Sequence, residues 1–133
     1  MIPGLPPDGH SLWHILYIED NPANQKLVGR VLSHRPATCV TLADDAATGL
    51  AAIARQRPHL LLLDINLPDR DGFAVFSELR ADAALPYFPI VAVSANAMVA
   101  DIEKARALGF DDYIVKPFDL LEFKQVIDRF LPV

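Results

Sequence analysis

Apolar residues fall into five short runs along the chain, separated by longer segments of helical periodicity. The third run is the most distinct, with four consecutive leucines, Leu60 to Leu63, between Pro58 and Asp64. An apolar run of this length without alternation is typical of a strand buried on both faces of a parallel sheet. The other four runs predict strands at residues 14–18, 38–42, 90–94 and 112–115.

The segments between the runs have the spacing and the end residues of amphipathic helices. A first helix is predicted from Asn21, a good N-cap residue followed by proline, to about Ser33, and a second from about Asp45 to Arg55. Three further helices are marked by Asp71 before the third, Gly109 after the fourth and Asp119 before the fifth.

The periodicity also predicts which side of each helix faces the core. The predicted core-facing residues are Ala23, Leu27, Val28, Val31 and Leu32 in the first helix, Ala47, Leu50, Ala51 and Ala54 in the second, Phe73, Phe76 and Leu79 in the third, Met98, Ile102 and Ala105 in the fourth, and Leu120, Phe123, Ile127 and Phe130 in the fifth.

In the second helix Gly49 is expected to weaken the helix, because glycine costs about 1 kcal/mol relative to alanine in a helix interior.

Strict alternation of strands and helices predicts an α/β fold, a parallel sheet covered by helices on both faces. Right-handed crossovers leave few topologies, and the flavodoxin-like, doubly wound order 2-1-3-4-5 is the commonest for five strands. In that order the first and third strands are neighbours, so Glu19, Asp20 and Asp64 are expected in one crevice at their carboxyl ends.

Three converging carboxylates repel one another unless a cation lies among them. Carboxylate oxygens, a backbone carbonyl and waters suit Mg²⁺. The fourth strand ends at Ser94 and the fifth near Lys116. A metal, a hydroxyl and an ammonium around Asp64 would form a cradle for a phosphoryl group, with Asp64 as the covalent nucleophile.

Composition narrows the class of protein. The chain has 133 residues, 52% of them apolar, and a net charge of −5, which indicates one folded domain. Its basic residues are scattered, so direct nucleic-acid binding is not expected, and without an apolar run of about 20 residues neither is membrane insertion. We therefore expect a cytoplasmic protein. Residues 1–12 are interpreted as a tail or linker before a domain at 13–133.

Cysteine and histidine residues carry no predicted chemistry. The single Cys39 lies in a predicted strand and is interpreted as an inert core thiol. The four histidines, His10, His14, His34 and His59, lack metal-ligand spacing, so we expect no ligand role for them.

Taken together, the motifs resemble a receiver domain of the two-component response-regulator family over about residues 13–131. Residues 18–24 and 110–118 look most like receivers of hybrid sensor kinases. Because the chain stops after the fifth helix, we expect either part of such a kinase or a free single-domain regulator, without an output domain. The matching motifs are Glu19-Asp20, Asp64, Leu67-Pro68 through Asp71-Gly72, Ser94-Ala95, and Tyr113 with Lys116-Pro117.

The resemblance implies the CheY-like form of the fold and a phosphoacceptor, not an enzyme with its own substrate. A phosphohistidine on a histidine kinase or histidine phosphotransfer protein would donate the phosphoryl group to Asp64. Mg²⁺ would be held by Glu19 or its water, Asp20, Asp64 and the backbone carbonyl of Asn66.

The resemblance also implies the switch. Lys116 would pair with the phosphoryl oxygens, Ser94 would hydrogen-bond to one of them, and Tyr113 would turn inward. This change would remodel the surface of the fourth helix, fifth strand and fifth helix, through which a homodimer is also expected. The Lys116–Pro117 bond is expected to be cis.

Asn66 and Asn96, each two residues after a site residue, are predicted to tune the lifetime of the phosphoryl group. Two alternative functions stay open. A small Mg²⁺-dependent aspartyl-phosphate phosphohydrolase would need a second acid where Asn66 stands. A pseudo-receiver that binds partners without phosphorylation usually lacks one of the acids or the lysine, and all are present here.

Overall fold

The computed structural model describes residues 4–96 and 98–132. These residues are built around a central five-stranded parallel sheet. The strand order is β2-β1-β3-β4-β5 and every pairing is parallel, so the predicted doubly wound, flavodoxin-like fold is confirmed. The elements are β1 Trp13–Ile18, α1 Pro22–Ser33, β2 Thr38–Ala43, α2 Ala46–Arg55, β3 Leu60–Asp64, α3 Gly72–Ala81, β4 Ile90–Ser94, α4 Val99–Leu108, β5 Asp112–Val115 and α5 Leu120–Phe130.

The leucine run forms β3, the central strand, between β1 and β4. All four leucines are completely buried, as the absence of alternation predicted. Successive side chains of a strand point to opposite faces of the sheet. Leu61 and Leu63 therefore pack in the layer of α2, α3 and α4, whereas Leu60 and Leu62 pack in the layer of α1 and α5. Burial on both faces holds the end of β3, and with it Asp64, in a defined position.

The predicted helix ends are confirmed by their capping contacts. The side chain of Asn21 accepts hydrogen bonds from the backbone N–H groups of Ala23 and Asn24. Asp71 and Asp119 cap α3 and α5 in the same way. Gly109 ends α4 in the left-handed conformation, with φ of 107°. Because each cap depends on a few consecutive residues, these ends were readable from local sequence.

The predicted core side of α2 is wrong for three of its four residues; Leu50 alone packs against the core as predicted. The polypeptide turns this helix so that Gly49 lies directly against Ile18 of β1, where a Cβ at position 49 would come within 2.6 Å of Ile18 Cγ1. Gly49 is thus the closest point of helix–sheet contact, and not only a weak position in the helix. The buried residues are Ala46, Gly49 and Ile53, while the predicted Ala47, Ala51 and Ala54 are exposed.

Three other predicted core residues are exposed. Met98, Leu120 and Ala23 lie at or before the first turn of their helices, and the side chains of Met98 and Leu120 are 66% and 42% exposed. Each of these helices starts beyond the carboxyl end of a strand, so its first residues lie past the sheet. Val75 of α3 and Val126 of α5 are buried instead and were not predicted.

Cys39 is half-buried and not in the core, because β2 is an edge strand. Its Sγ lies 3.0 Å from Nδ1 of His14 on the paired strand β1, and burial raises the pKa of the thiol. A raised pKa keeps the sulfur protonated at neutral pH, in keeping with an unreactive thiol.

The predicted tail is described from Gly4 onward; residues 1–3 lie outside the described residues. The indole nitrogen of Trp13 donates a hydrogen bond of 3.1 Å to the carbonyl oxygen of Gly4, so this segment contacts the amino-terminal end of the sheet. Each helix in the described part of the chain is too short or too polar to cross a membrane.

Candidate functional site

Three carboxylates meet where β1 and β3 end. Glu19 and Asp20 follow β1, and Asp64 is the last residue of β3. Ile18 pairs with Leu63 in the sheet, so the two strands end at the same level. One carboxylate oxygen from each of Glu19, Asp20 and Asp64 lies within 4.8 Å of the others. Glu19 and Asp64 are buried while Asp20 is exposed, which leaves the cluster open to solvent on one side.

Lys116 reaches this cluster from the far side of β4. Its Nζ donates hydrogen bonds to Glu19 Oε1 at 3.0 Å and to Asp64 Oδ2 at 3.2 Å. The backbone N–H of Lys116 donates to the carbonyl oxygen of Ser94, which continues the β4–β5 pairing to this point. The Lys116–Pro117 peptide bond is cis, as expected.

One ammonium does not neutralise three carboxylates. Burial and a hydrogen bond to Asp64 raise the pKa of Glu19 to about 7, although hydrogen bonds from Asn24 and Lys116 act in the opposite direction. Burial also opposes the charged form of Lys116, but the hydrogen bond to Glu19 and the charge of Asp64 outweigh it and raise its pKa. The site thus holds an excess of negative charge at neutral pH.

The excess charge fits a hard divalent cation. Carboxylate oxygens are preferred by such ions, and the exposed side at Asp20 gives room for the waters that a small ion retains. The pKa of Glu19 is raised chiefly by burial of its carboxylate, with a further contribution from the neighbouring Asp64. Glu19, Asp20 and Asp64 could therefore hold a metal ion.

The predicted polar residues on β4 and β5 line a neighbouring cavity of about 470 Å³. Ser94, at the end of β4, is buried, and its Oγ accepts a hydrogen bond from the backbone N–H of Asn96. The hydroxyl of Tyr113 donates a 2.8 Å hydrogen bond to the carbonyl oxygen of Asn96, and the Tyr113 side chain is mostly buried. The backbone N–H of Asn66, on the opposite wall, donates to Asp64 Oδ1 at 2.9 Å. Predicted residues from the ends of β4 and β5 thus line a cavity next to Asn66, whose N–H contacts Asp64.

A protein-family model matches most of the chain, including all of these site residues. The model of the response regulator receiver domain matches residues 15–128. The chain belongs to the response regulator receiver family.

Relatives of this receiver domain include both small and large proteins. The polar-differentiation response regulator DivK of Brucella anthropi is 34% identical over 120 residues, which cover 88% of this chain and 94% of DivK. The signal transduction histidine-protein kinase BarA of Escherichia coli K12 is 32% identical over 119 residues, which cover 89% of this chain but only 13% of BarA. The chain spans half or less of several other curated relatives, among them transcriptional regulatory proteins and a hybrid histidine kinase.

A solved receiver domain has the same fold and carries a metal ion. The receiver domain of the sensor histidine kinase PA1611 from Pseudomonas aeruginosa is 34% identical and superposes with a TM-score of 0.79. The match covers 92% of this chain and 99% of that domain, whose crystal structure has a magnesium ion coordinated in the active site cleft.

Two residues of the receiver domain that orient Glu19 were not predicted. The side-chain amide of Asn24 donates a 2.6 Å hydrogen bond to Glu19 Oε1. That of Gln25 donates to the backbone carbonyl oxygen of Glu19 and to Asp44 Oδ1. Both lie in the first turn of α1, directly after the acidic pair. Asn24 belongs to the motif at residues 18–24 that resembles receivers of hybrid sensor kinases, but the sequence predicted no contact with Glu19 for either residue.

The loop after Asp64 also contains unpredicted contacts. Asp69 accepts hydrogen bonds from the backbone N–H groups of Ala46 and Ala47 at the start of α2, and the first of these bonds is the main cause of its lowered pKa. Gly72 lies so close to the end of β3 that a Cβ there would be 2.6 Å from the carbonyl oxygen of Asp64. The loop therefore joins the end of β3 to both neighbouring helices.

Proposed function

We propose that this receiver domain accepts a phosphoryl group on Asp64, in a Mg²⁺-dependent reaction, from a phosphohistidine of a histidine kinase or histidine phosphotransfer protein. The observation that carries the proposal is the position of Lys116 Nζ, within 3.3 Å of both Glu19 and Asp64, in a cluster of three carboxylates. Phosphoryl transfer requires a nucleophile, here Asp64, and positive charge near the transferred group. Lys116 supplies one positive charge, and the carboxylates can bind a metal ion that supplies more.

Mg²⁺ would be held by the carboxylates of Glu19, Asp20 and Asp64 and by the backbone carbonyl of Asn66. The fit of these oxygen ligands to a hard cation supports this assignment, as does the magnesium ion in the related PA1611 domain. When bound, the ion supplies positive charge that offsets the charge of the carboxylates and of the phosphoryl oxygens.

Asp64 would be the nucleophile. One of its oxygens forms a bond to phosphorus while the bond between phosphorus and the donor imidazole nitrogen breaks, so an acyl phosphate and a free histidine result. The hydrogen bond from the N–H of Asn66 to Oδ1 orients the carboxylate. Lys116 Nζ, already 3.2 Å from Oδ2, would stabilise the charge on the transferred group, and Ser94 Oγ would hydrogen-bond to one of its oxygens.

The output surface would be formed by α4, β5 and α5. Tyr113 supports this, because its hydroxyl contacts the loop between β4 and α4, which begins at Ser94. A change at Ser94 on phosphorylation would thus reach Tyr113 through that loop. Exposed apolar side chains at Val99 and Leu121, near the starts of α4 and α5, would suit a partner or a second copy of the domain.

The two alternatives are not favoured. A phosphohydrolase of the aspartyl-phosphate type needs an acid two residues after its nucleophile, and Asn66 stands there with a neutral amide. A pseudo-receiver usually lacks part of the acidic pair, the aspartate or the lysine. In this chain Glu19, Asp20, Asp64 and Lys116 are all present and lie together.

The proposal is tested by phosphorylating the purified domain with phosphoramidate, a small donor with the phosphorus–nitrogen bond of phosphohistidine, in the presence of Mg²⁺. We expect an acyl phosphate on Asp64, and none in Asp64→Asn. Lys116→Met should slow its formation about 10- to 100-fold, the value of one charge-assisted contact of roughly 1.5–3 kcal/mol. The matched control is Asp82→Asn, which changes an exposed aspartate after α3 and should react like the parent.

Binding of beryllofluoride with Mg²⁺ is a second measurement on the same variants. Amide resonances of α4 and α5 should shift in the parent and in Asp82→Asn, and should not shift in Asp64→Asn. A parent that neither reacts nor binds, or an Asp64→Asn protein that does both, would contradict the proposal.

A further inference from the structure

The buried carboxylate of Glu19 accepts hydrogen bonds from two side-chain nitrogens among the described residues. Its Oε1 accepts from Asn24 Nδ2 at 2.6 Å and from Lys116 Nζ at 3.0 Å, and its Oε2 accepts from Lys116 at 3.3 Å. Because Glu19 is completely buried, water cannot readily replace a donor that is lost. A buried charged oxygen without a donor is costly, since its hydration is not regained. These two donors therefore hold the carboxylate in its observed position.

One of the two donors, Lys116, is shared. Its Nζ lies 3.0 Å from Glu19 Oε1 and 3.2 Å from Asp64 Oδ2. In the proposed function the same ammonium stabilises the phosphoryl group on Asp64, so it cannot hold Glu19 in the same way throughout the reaction. Asn24 donates to Glu19 from α1 and does not depend on the movement of Lys116.

The start of α1 holds Asn24 in place. Its backbone N–H donates to Oδ1 of Asn21, the N-cap residue, at 3.2 Å, and Pro22 occupies the first helical position. A capped helix start with a proline has little conformational freedom. Asn24 is half-buried, and its side chain reaches back to the acidic pair that precedes the helix. The amide is thus presented to Glu19 from a fixed point.

The backbone of Glu19 is held separately from its carboxylate. Its N–H donates to the carbonyl oxygen of Ala43 at 2.9 Å, and its carbonyl oxygen accepts from Gln25 Nε2 at 2.6 Å. Gln25 also donates to Asp44 Oδ1, directly after β2. With the backbone held in this way, the remaining freedom of Glu19 lies in its side-chain torsions, which the bond from Asn24 restricts.

We propose that Asn24 is a positioning residue of the metal site, whose amide keeps the Glu19 carboxylate in place for Mg²⁺ while Lys116 turns to the phosphoryl group. This inference rests on the proposed function of Asp64 and adds to it a residue outside the ligand set. Hydrogen bonds to ligating carboxylates orient them, and losing such a partner typically costs about 10- to 100-fold in metal affinity. An amide suits the position because it donates without adding a positive charge that would repel the ion.

The helix itself does not need the Asn24 side chain. The side chain of Asn21 already accepts from the backbone N–H groups of Ala23 and Asn24, which caps α1. Asparagine is also less favourable in a helix than leucine or glutamine. Replacing Asn24 with either residue should therefore leave α1 intact, so that the effect on the metal site can be measured in a folded protein.

The test is a titration of the full, metal-free chain with MgCl₂, followed by the backbone amide resonances of residues next to Asp64. Asn24→Leu keeps the approximate size of the side chain but removes the amide, whereas Asn24→Gln keeps an amide donor. The matched control is Ser33→Ala, which removes an exposed polar group from the last turn of the same helix. Circular dichroism without Mg²⁺ checks that each variant is folded before the titration.

We expect Mg²⁺ binding to be about 10-fold weaker in Asn24→Leu than in the parent. Binding should be less weakened in Asn24→Gln, because an amide donor is present, and unchanged in Ser33→Ala. In the parent, a side-chain amide proton of Asn24 should resonate downfield, since it lies in a 2.6 Å hydrogen bond to a carboxylate. This resonance should stay downfield when beryllofluoride and Mg²⁺ bind at Asp64.

An Asn24→Leu protein that binds Mg²⁺ as tightly as the parent overturns the inference. Equal weakening in Asn24→Gln and Asn24→Leu also overturns it, because the amide would then have no specific effect. So does an Asn24 amide resonance that loses its downfield position when beryllofluoride binds. These outcomes differ from failure of the proposed function, in which the parent forms no acyl phosphate from phosphoramidate.

Discussion

The close approach of α3 to the end of β3 predicts that one added methyl group has a large effect on stability. In Gly72→Ala the new Cβ would lie 2.6 Å from the carbonyl oxygen of Asp64 and 2.6 Å from the Cα of Ile65. Carbon atoms in ordinary contact are about 3.5 Å or more apart, so the helix and the strand end must separate by roughly 1 Å. Both contacted atoms belong to the backbone, so no side-chain rotation can relieve the overlap.

The expected size follows from two opposing contributions. Overpacking of a well-packed site costs about 1–3 kcal/mol, and backbone contacts place Gly72→Ala at the upper end. Replacing glycine with alanine in a helix contributes about 0.5–1 kcal/mol in the other direction. We therefore expect the free energy of unfolding to fall by about 2 kcal/mol, a substantial part of the 5–15 kcal/mol typical of a domain.

Two other helical glycines serve as matched controls. A Cβ at Gly29 in α1 would have no neighbour within 4 Å, so Gly29→Ala should stabilise the protein by about 0.5–1 kcal/mol. A Cβ at Gly49 would meet only side-chain atoms of Ile18, which can adjust in part although Ile18 is buried. Gly49→Ala should therefore lie between the other two variants.

The assay is equilibrium unfolding in urea, followed by circular dichroism, with the free energy taken from linear extrapolation. Because the overlap displaces the backbone of Asp64, Gly72→Ala should also accept phosphate more slowly than the parent under conditions where it is fully folded. A Gly72→Ala protein within about 0.5 kcal/mol of the parent, or more stable than Gly29→Ala, would refute the packing argument.

Two further predictions concern the carboxylate site and its neighbours. The pKa of Glu19 is raised from 4.5 to about 7 in the folded protein, so between these pH values the folded state holds a proton that the unfolded state has lost. The free energy of unfolding of the metal-free protein, measured by urea unfolding at each pH, should therefore fall as pH rises through this window. Glu19→Gln should reduce this dependence of the free energy on pH. A variant with the same pH dependence as the parent would contradict the argument. Asn66 and Asn96 line the same cavity, so alanine at either position should change the rate of phosphate release from the phosphorylated domain more than the affinity for Mg²⁺. Equal release rates in the variants and the parent would exclude such tuning.

Much of the fold was determined by local sequence. The unbroken leucine run identified a strand buried on both faces, and Leu60 to Leu63 are completely buried in β3. The caps at Asn21 and Asp71 and the stop at Gly109 marked helix ends, because each involves only a few consecutive residues. Strict alternation of strands and helices then limited the topology, since crossovers between parallel strands have one preferred hand.

The sequence predicted which residues of the candidate site lie together, but not the hydrogen bonds between them. Acids and a lysine at strand ends must lie at one edge of a parallel sheet, so the grouping of Glu19, Asp64 and Lys116 followed from topology. The support of Glu19 by Asn24 depends on the angle at which α1 leaves β1, which no local pattern encodes.

Only the tertiary structure decided the contacts between distant segments. The alanines of α2 gave the wrong core face, and the helix instead turns Gly49 toward Ile18, because the absence of a side chain on glycine permits that approach. Asp8 meets His59 across 51 residues of sequence because the segment before β1 folds back over the start of β3. Local sequence determines secondary structure through backbone preference and periodicity, whereas these contacts depend on how closely complete elements pack, which is settled only when the whole core is assembled.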